Sequence, residues 1–272
     1  MKFNTVVLAV FLALIAPHAF SQPVEPSAVL ESGAGNRLVI GAAGTVQGVN
    51  QLFQTHLMIA NFRSVRQLVR IDFLAQGVAN PEPQTETLAL EPQSFFPRTI
   101  PWNGLGALVL TTVNEDGSDD AAGNISAIAR IYSGDSCGDG TVSQSFKAER
   151  VGTISGGTSA YILGLAQDLL VFRTNIGIVN LDPVNAHTFE IRGSGQGGVG
   201  RVEVTVPPMS MVQTPLPKAC DTDNNCTNPY GDLVATVDPA GTPGDWFAYG
   251  SSVHNGSGDA WVSSAIQLPI TD

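Results

Sequence analysis

Apolar and polar residues alternate with a period of two along much of this chain. In Leu68–Leu74, Val69, Ile71 and Phe73 fall on one side, and Arg70 and Asp72 on the other. Successive side chains of a strand point to opposite faces, so this pattern predicts a strand packed on a core by one face. In Phe53–Asn61, Phe53, Thr55, Leu57 and Ile59 share one face, while Gln54, His56, Met58 and Ala60 share the other. Further strands are predicted at Arg37–Ala43, Thr85–Leu90, Gly106–Val113 and Ile125–Tyr132, the last two pairing as a hairpin around Asn114–Asp120. Phe95, Phe96 and Trp102 are expected to cover the end of the core, each contributing about 1.5–3 kcal/mol if buried. No stretch sustains apolar spacing at i, i+3, i+4 and i+7. Tyr161–Phe172 is the one place compatible with a helical turn, and it suits a strand equally.

The pattern occurs twice. Phe172-Arg-Thr-Asn-Ile-Gly-Ile-Val-Asn180 echoes Phe53-Gln-Thr-His-Leu-Met-Ile-Ala-Asn61, and both read Phe-x-Thr-x-aliphatic-x-Ile-x-Asn. Ala186–Arg192 follows the second copy as the Leu68 strand follows the first. Val202–Ser210 matches Glu86–Ser94, with Pro208 over Pro92 and Ser210 over Ser94. Gly231–Val237 matches the Gly106 strand, and Trp246–His254 matches the Ile125 strand. The expected fold is therefore all-β: two tandem antiparallel β-sandwich units of immunoglobulin-like size. They span residues 37–150 and 151–272, joined at the Gly- and Ser-rich stretch Gly152–Ser159, after a loose lead-in at 22–36. Phe172 is expected in the core. The largest difference between units is an insertion at Lys218–Asp232.

Composition adds an address. Lys2, the apolar run Val6–Ala16, and small residues Ala19 and Ser21 read as a signal peptide over residues 1–21, which predicts a secreted protein, periplasmic or extracellular. Its removal takes the formal charge from −11 to −12. Such an acidic chain argues against nucleic-acid partners, and no later apolar run is long enough for membrane insertion as a helix. Expected partners are a surface, a protein or a glycan. Of the three cysteines, Cys220 and Cys226 bracket a short loop and are paired in a disulfide, leaving Cys137 over; a bridge from Cys137 to either is the alternative.

Three motifs together, Phe172–Asn180, Val206-Pro-Pro-Met-Ser210 and Tyr249-Gly-Ser-Ser-Val-His-Asn-Gly-Ser-Gly-Asp259, resemble tandem β-sandwich units of uncharacterised exported bacterial proteins. The resemblance implies architecture and export, and no catalytic residues come with it. Unit one departs from the pattern at Ser133–Gly140.

The candidate chemistry is sparse. Asp221, Asp223, Asn225 and Asp232 fall at positions 1, 3, 5 and 12 of a loop, a spacing that suits the oxygen ligands of calcium. Cys226 stands where a turn-making Gly is needed and Pro229 at position 9, so a solvated loop stapled by Cys220–Cys226 is the preferred reading, with no cofactor expected. His56, His187 and His254 have no zinc spacing. His254, Asp259 and Ser251 or Ser252 can be drawn as a triad, but no G-x-S-x-G elbow exists and a turn explains them. Glu190 and Glu203 on neighbouring strands could serve a glycosidase, yet ion pairs with Arg192 and Arg201 account for the same four residues. Trp246 and Trp261 could form a sugar platform if both protrude, and core positions are the alternative. The expected protein is non-catalytic, acting in surface binding, adhesion or envelope assembly, with a carbohydrate-active protein as the other reading.

Overall fold

A computed structural model describes residues 33–48, 51–134, 142–168, 171–195, 198–216, 219–220, 226–227 and 232–267. The signal peptide, Cys137, and the loop residues Asp221, Asp223 and Asn225 lie outside the described residues. The described residues contain no helix, and all their ladders are antiparallel.

Sixteen strands of five or more residues are present among the described residues. The first eight are β1 (Arg37–Gln47), β2 (Leu52–Asn61), β3 (Gln67–Ala75), β4 (Gln84–Leu90), β5 (Phe95–Thr99), β6 (Gly104–Val113), β7 (Ile125–Ser133) and β8 (Val142–Lys147). The next eight are β9 (Ala160–Ala166), β10 (Phe172–Asn180), β11 (His187–Gly195), β12 (Gly198–Val206), β13 (Ser210–Pro215), β14 (Asp232–Pro239), β15 (Asp245–His254) and β16 (Ala260–Ser264).

They make three sheets, and the pairing order repeats. A ten-stranded sheet has two arms, β8-β7-β2-β5 and β1-β6-β3-β4, joined where Val46 and Gln47 pair with Phe53 and Leu52. A five-stranded sheet runs β16-β15-β10-β13, and a seven-stranded sheet contains β9-β14-β11-β12. Adding eight to each label of the first arm gives the five-stranded sheet; adding eight to the second gives the seven-stranded one. Even the short segments correspond: Ala34–Gly35 pairs with β7 as Ile154–Ser155 pairs with β15, and Glu149–Arg150 pairs with β1 as Ile266–Gln267 pairs with β9. The end of the lead-in is thus held in a ladder. The Tyr161 stretch, compatible with either element by sequence, is a strand.

The repeated motif sits on equivalent strands, β2 and β10, and its last four shared positions do the same work in each. Thr55, Leu57, Ile59 and Asn61 are buried, as are Thr174, Ile176, Ile178 and Asn180. Both threonines bond the preceding strand just past its bulge. Thr55 Oγ1 donates to Gly44 O at 2.9 Å and accepts from Gly44 N at 2.9 Å, while Thr174 Oγ1 donates to Ala166 O. Bulges interrupt β1 after Ile40 and β9 after Ile162. Both asparagines tie the turn that follows to the end of β4 or β12, through Leu90 O and Val206 O. The matching prolines open matching turns in which Gln93 and Met209 are left-handed, with φ of 50° and 44°. Pro before a left-handed residue is the signature of a tight turn with both central positions fixed.

Three expectations change. Phe172 is half-buried at the edge, its ring 5.2 Å from that of His254 and 5.7 Å from that of Trp261, because the motif's first position lies at the strand's open end. Phe95 and Phe96 are exposed, and only Trp102 covers the core, stacked on Phe73 at 5.4 Å. Strands β6 and β7 do not form a hairpin: β6 pairs with β1 and β3, and β7 with β2 and β8. The loop between them folds on itself, with Asp120 N donating to Thr112 O, and Arg63 holds Asp120 at 3.0 Å as the chain crosses between arms.

Two apolar clusters underlie this order. One joins the five- and seven-stranded sheets, including Ile176, Ile178, Phe189, Ile191 and Trp246. The other joins the two arms of the ten-stranded sheet and takes in Val179, Met211, Phe247 and Tyr249 from the five-stranded sheet. Those four share one face of that sheet, since Val179 pairs with Phe247 and Met211, and Gly177 with Tyr249. Alternation along β10 places Ile176 and Ile178 on the opposite face. The centre of the five-stranded sheet is buried on both sides.

Candidate functional site

The outward positions of the motif differ between copies: Gln54 against Arg173, His56 against Asn175, Met58 against Gly177. In the second copy they meet the first repeat. Gly177 lies beneath the Tyr249 ring, and Tyr249 packs edge-on against Phe146 of β8 at 5.2 Å. Toward the open end of the same strand, Asn175 and Arg173 line a cleft of about 310 Å³. Its other wall comes from the first repeat, with Gln51, Phe53, Ile131 and Gln144. That volume lies at the small end of ligand sites.

The lining is mixed, with apolar Phe53, Ile131, Val142, Val253 and Ala260 beside polar side chains. Arg173 is the charged residue of the lining, and its Nη1 donates to Asn255 Oδ1 at 2.7 Å. Gln51, Asn175 and Gln213 carry amides that both donate and accept. Gln144 ties the walls together: its Nε2 donates to Ser251 Oγ at 2.8 Å and Trp261 O at 2.9 Å, and its Oε1 accepts from Ser251 Oγ at 3.1 Å. A guanidinium beside amides and the Phe53 ring suits a small anionic or polyhydroxylated ligand.

Of the candidate residues singled out from sequence, Ser251 lines the cleft and the others fall elsewhere. Glu190 and Glu203 are direct cross-strand neighbours on the outer face of the seven-stranded sheet, opposite the face carrying Phe189 and Ile191. Glu190 is ion-paired with Arg192, which also reaches Asp238 at 3.4 Å. These contacts raise the Arg192 guanidinium further above its ordinary value, with the Glu190 hydrogen bond the main cause. The equivalent pair in the first repeat is Arg70–Asp72 at 3.2 Å, with the charges exchanged.

His254, Ser257 and Asp259 form a turn. Ser257 N donates to His254 Nδ1 at 3.0 Å, and Ser257 Oγ donates to Asp259 Oδ2 at 2.8 Å, so the carboxylate meets the serine rather than the imidazole. Ser251 is engaged by Gln144, and Ser252 by Thr174 at 2.8 Å.

Trp246 is buried, its ring 5.1 Å from that of Phe189 and its Nε1 donating to Gly156 O at 3.3 Å. It presents no face to a sugar, so the paired platform with Trp261 does not form. Trp261 lies at the rim, with Nε1 donating to Gly164 O at 2.8 Å. His56 is half-buried on the outer face of β2, opposite Arg130 and Thr99.

Cys220 stands opposite Cys226 in a two-residue ladder beyond β12, the backbone relation that suits the proposed staple. Asp232 begins β14. The side chains of Cys220, Cys226 and Asp232 lie outside the described residues, as does the rest of the expected calcium loop. Among the described residues, no three His, Cys, Asp or Glu side chains come together as a metal site.

His187 Nε2 lies 2.8 Å from Asp182 Oδ2 in the turn after the second motif. That contact, with donors from Val184 N and Asn185 N, holds the Asp182 carboxyl far below its ordinary value of 3.8. A carboxyl depressed in the folded state stabilises it fully above the unfolded value, and the stabilisation is lost as pH falls toward the folded one. Urea midpoints of the wild type and Asp182→Asn are therefore expected to differ above about pH 5 and to converge progressively in acid. A constant gap from neutral pH down to strong acid would show that the carboxylate charge contributes nothing.

The cleft was not legible from any motif. Its signal in the sequence is the divergence of the outward motif positions between copies. Compared with known proteins, the chain matches no family model and no curated protein.

Proposed function

We propose that this chain is an exported binding or assembly protein made of two tandem β-sandwich units of immunoglobulin-like size, working without catalysis through the cleft at their junction. The supporting architecture is the one-to-one repeat of eight strands, each repeat having two four-stranded ladders that contribute to a shared apolar cluster. The observation that carries the binding assignment is the position of Arg173 and Asn175. They are outward motif residues that diverge from Gln54 and His56, and they line the cleft together with residues of the other repeat. The acids first considered for glycoside hydrolysis lie outside this cleft, on an outer sheet face where Glu190 is held by Arg192. Within the same reading, Cys220–Cys226 staples the insertion.

The test is ligand-observed NMR with a panel of small carboxylates, sulfated sugars and neutral sugars. Wild type is expected to bind at least one class, and Arg173→Ala to weaken it about tenfold or more, as the loss of a charge-assisted contact requires. Parallel assays on p-nitrophenyl glycosides and esters should show no turnover above buffer. Turnover abolished by Glu190→Gln would overturn the reading, and binding indifferent to Arg173 would remove the cleft from it.

A further inference from the structure

Among the described residues, two sheet faces lack the neighbour that their counterparts have. In the second repeat, the outer face of the five-stranded sheet carries Val179, Phe247, Met211 and Tyr249, all buried in the first repeat's apolar cluster. By ladder register, the same positions on the first arm of the ten-stranded sheet are Ala60, Ser126, Phe95 and Ile128. Phe95 is 71% exposed and Ile128 45%, and the adjacent Met58, in the place of Gly177, is 40% exposed. This face is therefore the counterpart of a buried junction, and among the described residues no strand packs on it.

The other half of the internal junction also has a counterpart. Strand β1 receives the five-stranded sheet at its bulge, where a Cβ on Gly41 would lie 2.4 Å from the Tyr249 ring and 3.0 Å from that of Phe247. Ile40 and Ala43 correspond in register to Ile162 and Leu165, so Leu163 occupies the place of Gly41. Leu163 is 51% exposed, and Ile266 and Val199 on the same outer face of the seven-stranded sheet are 43% and 46% exposed.

The sizes are exchanged. Inside the chain, Gly41 faces Tyr249 and Phe247. On the two uncovered faces the corresponding residues are Leu163 on one side and Ile128 and Ser126 on the other, so a larger residue meets smaller ones.

We propose that a second copy of this chain covers the exposed face. The seven-stranded sheet of one copy packs on the Phe95–Met58–Ile128 face of the next, reproducing between molecules the junction that joins the two repeats. This rests on the reading of the chain as two equivalent units. Such a contact joins two different faces, so it is head-to-tail and propagates unless it closes into a ring. Exposed apolar side chains on an outer face are a surface such contacts use, and on the seven-stranded sheet they share the face with the charged Glu190, Arg192 and Glu203.

Sedimentation velocity on the purified chain, from about 1 to about 100 µM, tests this with Ile128→Lys and Leu163→Lys, both at exposed positions. Wild type is expected to grow in mass with concentration. Each variant alone should be monomeric, with association at least about 100-fold weaker, and an equal mixture of the two should form dimers and stop there. A wild type monomeric throughout would overturn the proposal. Self-association by Leu163→Lys alone would overturn it too, since that indicates like faces pairing, as would a mixture that stays monomeric. Far-UV circular dichroism melts matching wild type establish that the variants are folded. Arg173-dependent ligand binding by monomeric Ile128→Lys would separate failure of assembly from failure of the cleft.

Discussion

Replacing Asn180 with alanine is expected to lower the folding free energy by about 3–5 kcal/mol, a large part of what a domain of this kind holds. The side chain is buried and makes contacts at both ends. Nδ2 donates to Asn185 O at 2.8 Å, Pro207 O at 3.0 Å and Val206 O at 3.2 Å, and Oδ1 accepts from Asp182 N at 3.0 Å. Alanine leaves these backbone groups without partners where water enters poorly, and each such group costs about 1–3 kcal/mol. Asn180→Asp is the sharper variant. It keeps the acceptor for Asp182 N but sets a negative charge against three carbonyl oxygens, so it should be at least as damaging at neutral pH. Asn61 holds the same place in the first repeat, donating to Glu91 O at 2.8 Å and Val65 O at 2.9 Å while Oδ1 accepts from Arg63 N at 2.9 Å and from Gln67. Asn61→Ala should cost a similar amount. Urea titrations check both, and a loss under about 1 kcal/mol would mean that the two plugs are replaceable.

These asparagines show what the sequence could reveal. Comparison of Phe53–Asn61 with Phe172–Asn180 isolates the shared positions, and period-two alternation assigns Thr, the aliphatic residue, Ile and Asn to the inner face, where they lie. Alternation says which side of a strand is apolar, however, and not which sheet lies over it. Strand β6 is buried on both faces from Gly106 to Val113, so its mostly apolar sequence suits several partners and does not single out β1 and β3 over β7. The exposed Phe95 reads as core for the same reason, since hydrophobicity alone cannot tell an interior from an exposed face. The cleft was harder still. Arg173 and Asn175 are unremarkable as outward strand residues, and only the packing of one repeat on the other puts them beside Gln51 and Gln144.

Gly177 is where the divergence of the copies has the largest structural consequence, and Gly177→Ala is expected to cost about 3 kcal/mol or more. The cost does not come from the backbone, since Gly177 is not among the glycines with positive φ. It comes from space: a Cβ there would lie 2.1 Å from Cε1 and Cζ of Tyr249 and 2.5 Å from its hydroxyl oxygen. The ring cannot retreat, because Phe146 meets it edge-on at 5.2 Å, Phe247 stacks at 6.4 Å, and Gly41 leaves room for no more than a hydrogen on the far side. Burial also pushes the Tyr249 phenol well above its ordinary range, so the phenol stays neutral. Gly177→Met, which installs the residue that the first copy carries, should prevent the two repeats from closing. The reverse exchange, Met58→Gly, should cost only about 1 kcal/mol, because Met58 lies on an exposed face and loses little beyond strand propensity. Pairing Gly177→Ala with Tyr249→Leu should recover part of the loss, with a coupling energy above about 1 kcal/mol in a double-mutant cycle. If Gly177→Ala is tolerated with a loss under about 1 kcal/mol, the Tyr249 ring is free to move and the junction between repeats is looser than this packing requires.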